Sequence, residues 1–377
     1  MDKPVEAIGS GGNVVAQTGV EPEEIEGLGD GGSSSWGDYP IDTLLIRNEQ
    51  RTVHDVLRRI ESGSFVMNPD FQRDFIWDKE KQSKLIESVM MRIPLPVFYL
   101  AEDDRGRMVV VDGLQRLSTF RRFVNNELRL RLDDRPDLHR KRFEDLSPKL
   151  KNRIEDCNLI LYVIDTKVPE RARLDIFERV NGGVPLSRQQ MRNCLFTGEA
   201  TRFLKEESRT DLFLQATGGS LRTEKMRDRE FVNRFCAFQI LGLDEYQDMD
   251  DFLAKGLRKM NAETGELPAL SKQFRVTLDN NFYLFEKHAF RKHVPAQVDR
   301  HIINASLWDV MSTGLSRYPR NIVEGRSTAV RGAFFRLLDN EDFSDSITRG
   351  PNSVKQVRSR FGMARAMFEE VFGAYPA

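Results

Sequence analysis

Cysteine is scarce in this chain. Cys157, Cys194 and Cys236 are the only three in 377 residues, too few and too scattered for a disulfide framework or a Cys-pair metal site. They point to a reducing, cytoplasmic setting. Histidine is nearly as sparse: His54, His139, His288, His293 and His301 are all there are. His288 and His293 lie five apart, which does not put both on one helical face as an i, i+4 zinc pair requires. Long apolar runs are missing too. The longest is Leu159–Ile164, six residues against the roughly 18–20 that a membrane-spanning helix needs, so no membrane partner is expected. The first residues carry no basic region followed by an apolar stretch, which argues against a secretory signal. No Walker A loop is present, so any nucleotide site must be of a non-P-loop kind.

The net charge of −1 conceals an asymmetry. Residues 1–40 hold one lysine against eight acids, a net of −7, which leaves +6 for residues 41–377. Glycine is concentrated there, with the run Gly31-Gly32-Ser33-Ser34-Ser35, and bulky apolar residues are few. This composition predicts a disordered acidic tail over 1–40, whose deletion would leave stability unchanged. It is either a passive solvating segment or one that docks on a basic surface.

Residues 109–120, V-V-V-D-G-L-Q-R-L-S-T-F, are the most informative stretch. Val109–Val111 form a β-branched run suited to a buried strand. Asp112-Gly113 breaks it, and Leu114, Leu117, Phe120 and Val124 then recur at helical spacing. A strand, a tight turn and a helix follow from this pattern. Gly113 has no side chain to block a ligand, and the first helical turn offers unpaired amides and a positive dipole end. That is an anion-binding geometry. Gln115, Arg116, Ser118 and Thr119 fall on the first two turns, where they would complete a phosphate cradle. The simpler reading makes Asp112 an N-cap and Arg116 a surface ion-pair partner. A helix-start arginine facing an anion is expected to be dispensable for packing.

Two further polar clusters flank this one. Upstream, N-P-D-F-Q-R-D-F-I-W (68–77) sets large apolar residues among Asp70, Gln72, Arg73 and Asp74. Asp78 then caps a predicted helix whose Leu85, Ile86, Val89, Met90 and Ile93 make one apolar face, ended by Pro94 and Pro96. Val97–Leu100 begin a strand, and D-D-R-G (103–106) turns it into a hairpin with the strand before Asp112. Downstream, in I-F-E-R-V-N-G-G-V-P-L-S-R-Q-Q-M-R-N-C (176–194), a helix ends at Asn181-Gly182-Gly183 and Ser187 caps the next.

The ordered trio resembles the N-terminal domain of GmrSD-type restriction systems, a family with a ParB/sulfiredoxin-like core. Its pattern has a P-x-[FY]-Q-R-x-[FY]-x-W segment, a strand ending in D-G-[QL]-Q-R, and F-x-R-[IV]-N-x-G-G-x-P-L. Here these stand as Pro69–Trp77, Asp112-Gly113-Leu114-Gln115-Arg116 and Phe177–Leu186. Leu114 replaces a commoner glutamine, and Gly182 follows Asn181 directly, one residue shorter than the usual N-[ST]-G-G. The resemblance implies binding and hydrolysis of a nucleoside triphosphate at the D-G-x-Q-R segment, in defence against modified phage DNA. On this expectation Asp112, Gln115 and Arg116 are the catalytic candidates. Asp112 would hold Mg²⁺ or orient water, and Gln115 and Gln72 would position the triphosphate or the attacking water. Arg116 and Arg73 would contact phosphate, with Gly113, Ser118 and Thr119 in the cradle. Arg179 and Asn181 would close the site from the third segment.

Beyond Arg188 the sequence offers only amphipathic helical patterns, led by Phe231–Gln239, Phe282–Phe285, Ile302–Met311, Val330–Leu338 and Val354–Phe372. The expected class is α+β: a small mixed ParB/sulfiredoxin-like nucleotide-binding domain (41–185) followed by an all-helical domain (186–377). No His-rich nuclease cluster of the kind some family members carry is visible, so a nuclease is expected on a separate subunit. A competing class is a non-catalytic module that binds nucleotide or DNA phosphate and recruits an effector. A third is a Mg²⁺-dependent nuclease built on Asp165-Thr166-Lys167 with Asp145 or Asp112. Basic clusters at Arg121-Arg122, Arg129-Leu130-Arg131 and Arg140-Lys141-Arg142 suit DNA phosphates, but Asp133, Asp134, Asp137, Glu144 and Asp145 are interleaved with them.

Overall fold

A computed structural model of the chain describes residues 25–28, 46–67, 77–103, 105–180 and 187–373. Five strands form one mixed sheet: β1 (Ile46–Thr52), β2 (Phe65–Val66), β3 (Phe98–Glu102), β4 (Met108–Asp112) and β5 (Asn158–Ile164). Their order is β1-β5-β3-β4-β2. β3 and β4 make the expected antiparallel hairpin. Asp103 closes its turn by accepting the amides of Arg105 (2.9 Å) and Arg107 (2.8 Å), and Gly106 takes a positive φ of 72°. β5 runs parallel to β3, and β2 runs parallel to β4. β1 pairs antiparallel with β5 along its whole length.

Helices α1 (Val53–Glu61), α2 (Lys79–Met90), α3 (Leu114–Val124) and α4 (Pro148–Glu155) cover one face of the sheet. Strand alternation divides the core. Phe98, Leu100, Val110, Leu161 and Val163 point to these helices, while Ala101, Val111 and Ile164 point to the other face. There they meet Leu174 and Phe177 of α5 (Glu170–Val180) and Met191 and Leu195 of α6 (Arg188–Leu195), in a cluster that continues into the C-terminal helices. That continuous core crosses residue 185. The C-terminal region is helical as its periodicity predicts, with Arg227–Ile240, Leu267–Phe285, Ala305–Leu315 and Val354–Phe372 among its longer elements. Its interior holds an ion triad: Asp309 accepts from Arg234 (2.8 and 2.6 Å) and from Arg360 (2.8 Å), all three wholly buried.

Two expectations are corrected here. Ile93 does not continue the apolar face of α2. The helix stops at Met90, Arg92 adopts a left-handed φ of 60°, and Ile93 swings out to 47% exposure. The 1–40 segment is not uniformly free of structure either, because Ile25–Leu28 docks on the C-terminal helices. Glu26 donates its amide to Ile303 O (2.9 Å), accepts from Ala305 N (2.8 Å) and pairs with Lys292 (2.6 Å). Asn352 Nδ2 holds Leu28 O at 2.6 Å, and Ile25 and Leu28 pack on the core. A short apolar–acidic match thus overrides the disorder signalled by composition. No helix among the described residues is long and apolar enough to cross a membrane.

Candidate functional site

The candidate site starts at the C-terminal end of β4. Val109, Val110 and Val111 are buried as their β-branched run predicts, and α3 begins at Leu114 directly after the turn. Gly113, not Asp112, occupies the N-cap position, and among the described residues no side chain caps the helix. The Asp112 N-cap reading is therefore replaced. The first-turn amides of α3 have no intrahelical acceptor, as at any helix start, and Gly113 brings no capping side chain to take the place of one.

Gly113 answers two demands at once. Its φ of 96° is a left-handed conformation, and an added Cβ would lie 2.2 Å from Cδ1 of Phe98. The sequence suggested room for a ligand; the structure adds an aromatic ring seated against the glycine on the core side.

Arg116 folds back beneath the turn. Its Nη2 donates to Asp112 Oδ2 (2.7 Å) and to Val97 O (3.0 Å), while Nη1 donates to Pro96 O. The guanidinium also lies over the Phe98 ring, 4.1 Å from its centroid. Burial pulls its pKa below the usual arginine value, opposed by the Asp112 carboxylate, which favours the charged form. Arg116 thus ties three segments together, and the expectation that it is dispensable for packing is corrected. Asp112 remains about one-third exposed, with Oδ1 free of partners among the described residues.

The other candidates divide clearly. Gln115 stands on the same turn, partly buried. Ser118 and Thr119 are buried, and the Thr119 hydroxyl donates to Gln115 O (2.8 Å) within the helix. Arg179 is exposed on the last turn of α5, whose helix packs against β4. Gln72, Arg73 and Asn181 lie outside the described residues. The topology nevertheless fixes where the second segment starts: β2 runs parallel to β4, so the chain leaves Met67 at the same sheet end as Asp112. Ser187 caps α6 as predicted, in a full capping box with Gln190.

Several readings change once the strands are placed. Because β5 is antiparallel in sense to β4, Asp165 and Lys167 emerge at the opposite end of the sheet from Asp112. Asp165 there pairs with Arg47 (3.2 Å), which also holds Glu102 (2.8 Å). The nuclease centre combining Asp165 with Asp112 is thereby ruled out on geometry. Among the described residues no three His, Cys, Asp or Glu side chains converge as a metal cluster. His288 and His293, five apart, do meet: their rings stack at 4.9 Å, because the chain between them is a tight turn and not a regular helix. The basic clusters are partly neutralised, with Arg131 on Glu80 (2.8 Å) and Arg142 near Glu144 (3.7 Å). Sequence reasoning missed Pro96, Val97 and Phe98 as the partners of the turn. The only signal they gave was the Pro94-x-Pro96 spacing, read as a helix stop.

No curated protein and no solved structure matches the chain. A family model does: residues 53–197 match the GmrSD restriction endonuclease N-terminal domain. The matched span runs from the first residue of α1 to just beyond α6 and contains the turn at Asp112. It also covers all three sequence segments from which the resemblance was drawn. The chain therefore carries, over residues 53–197, an N-terminal domain of the GmrSD restriction endonuclease family, the family of a restriction or defence system.

Proposed function

We propose that this protein is a nucleoside-triphosphate-binding and -hydrolysing sensor or regulator of a DNA-restriction system directed at phage. One observation carries the reading: an uncapped helix start, entered through a left-handed glycine, with a partly exposed carboxylate immediately before it. Helix amides of this kind bind phosphate oxygens without a P-loop. Asp112 has one carboxylate oxygen held by Arg116 and the other available. A single carboxylate completed by water and phosphate oxygens is a donor set that Mg²⁺ accepts, so Asp112 would hold the ion. When bound, Mg²⁺ would neutralise charge on the transferred phosphoryl group.

In this reading Arg116 orients Asp112 and adds positive potential from below the turn. Gln115 lies one residue from the helix start, where it would position the triphosphate or a water. Gln72 and Arg73 would approach from the β2 side, and Arg179 and Asn181 would close the site from the third segment. Ser118 and Thr119 are supports within α3 rather than ligands. DNA and a separate nuclease subunit would be the partners that sense and execute.

Calorimetry of the full chain with ATP and GTP in Mg²⁺ tests the binding step. Asp112→Ala should weaken Mg²⁺-dependent binding by about tenfold or more, on the scale of a lost charge-assisted interaction. Equal affinity in the folded variant would remove Asp112 from the site. Binding without any turnover would support the non-catalytic module instead.

A further inference from the structure

We propose that the cavity between α2 and α4 is a binding site for a small phosphorylated organic molecule of mononucleotide size, separate from the Asp112 turn. The cavity holds about 500 Å³, within the range of small-molecule sites. Val89, Ile93 and Leu95 give it an apolar wall, and Arg92, Lys149 and Arg153 line it with positive charge against a single acid, Asp156.

Two of those cations are open to a ligand. Several arginines of this domain are engaged by carboxylates, yet neither Arg92 nor Lys149 pairs with one among the described residues. Arg153 spends Nη1 on Met90 O (3.0 Å), which fixes its guanidinium beside the end of α2.

The backbone supplies an independent observation. Arg92 sits in a left-handed conformation, φ 60°, just past the end of α2, where its amide bonds Val89 O (2.9 Å) and that of Ile93 bonds Ser88 O (2.9 Å). Glycine is the usual residue at this position because it has no Cβ to crowd the turn. An arginine held there, with no carboxylate partner among the described residues, puts a cation in the cavity lining beside exposed Ile93 despite the strain. Charge alone would suit a nucleic-acid backbone. A concave cavity with an apolar wall suits instead a molecule that enters it, its phosphate on the cations and its body against Ile93 and Leu95.

Cys157 lines the same cavity and is a free thiol, whereas Cys194 and Cys236 are buried elsewhere. Its alkylation by N-ethylmaleimide in the full chain reports occupancy without any enzymatic readout. Saturating AMP should slow Cys157 labelling roughly tenfold, as expected when a ligand fills its pocket. Inorganic phosphate and adenosine should each protect far less. Arg92→Gly should keep or raise Tm, since glycine takes the left-handed turn freely, and yet lose the protection. Lys149→Met should lose it also, while Asp112→Ala should retain it. Absence of AMP protection at millimolar concentration, or protection surviving in Arg92→Gly, would overturn the site. Equal protection by inorganic phosphate or by adenosine would overturn the organic-phosphate assignment. Loss in folded Asp112→Ala would overturn its separation from the turn.

Discussion

Arg116 Nη2 reaches Asp112 Oδ2 at 2.7 Å across one helical turn, while the same nitrogen and its twin hold the carbonyls of Val97 and Pro96. The carboxylate before the helix is therefore oriented by an arginine that is itself anchored at the start of β3. Removing that anchor leaves two partly buried carbonyls and a partly exposed carboxylate without their shared donor. Arg116→Ala is expected to destabilise the protein by about 2–4 kcal/mol, measured by urea unfolding. A cost below about 0.5 kcal/mol, the size of an ordinary surface change, would show that the clamp carries no structural weight.

Gly113→Ala probes the same turn from the backbone. It combines a left-handed φ with a Cβ 2.2 Å from the Phe98 ring, and a loss of about 2–4 kcal/mol is expected. Phe98→Leu in the alanine background should return part of that loss by vacating ring volume. No recovery in the double variant would mean that φ strain alone sets the cost.

The N-terminal contact gives a stepwise deletion test. Removing residues 1–24 should leave stability unchanged. Removing 1–28 should lower it by about 1–3 kcal/mol, through loss of the Glu26 backbone bonds and the Lys292 pair. Two indistinguishable melting curves would show that Ile25–Leu28 contributes nothing.

His293 provides a pH signature. Burial lowers its pKa below the ordinary histidine value, helped by its neighbours His288 and His301, while Arg291 O, at 2.9 Å from Nδ1, acts in the opposite direction. A depressed folded-state pKa means that the unfolded chain takes up the proton first. The resulting stability is present above the unfolded value near 6.5 and is lost as pH falls through it. Tm should therefore drop between pH 7.5 and 5.5, and His293→Gln should flatten that segment of the curve. An unchanged slope in the variant would assign the pH dependence to other groups.

What the sequence made legible follows from local physics. The turn at Asp112 was readable because a β-branched run gives way within two residues to helical spacing, and the hairpin because D-D-R-G breaks two strands. Asp78 and Ser187 were readable as caps, which depend only on residues three positions ahead. β1 was not: I-R-N-E-Q-R-T is an edge strand with mostly exposed side chains, so no buried alternation marks it. β2 is only two residues long. The Arg116 clamp was hidden because its acceptors are backbone carbonyls some twenty residues upstream, brought near by the fold alone. The stacking of His288 on His293 depended on a turn that helical periodicity could not anticipate.

Phosphate release from ATP and GTP by the purified full chain, with and without Mg²⁺ and with plasmid DNA present, tests hydrolysis at the Asp112 turn most directly. Mg²⁺-dependent release that falls by at least about a hundredfold in Asp112→Asn, with the plasmid left intact, is the expected result, in line with loss of an essential electrostatic group. Undiminished release in Asp112→Asn, or Mg²⁺-dependent plasmid cleavage without triphosphate turnover, would contradict it.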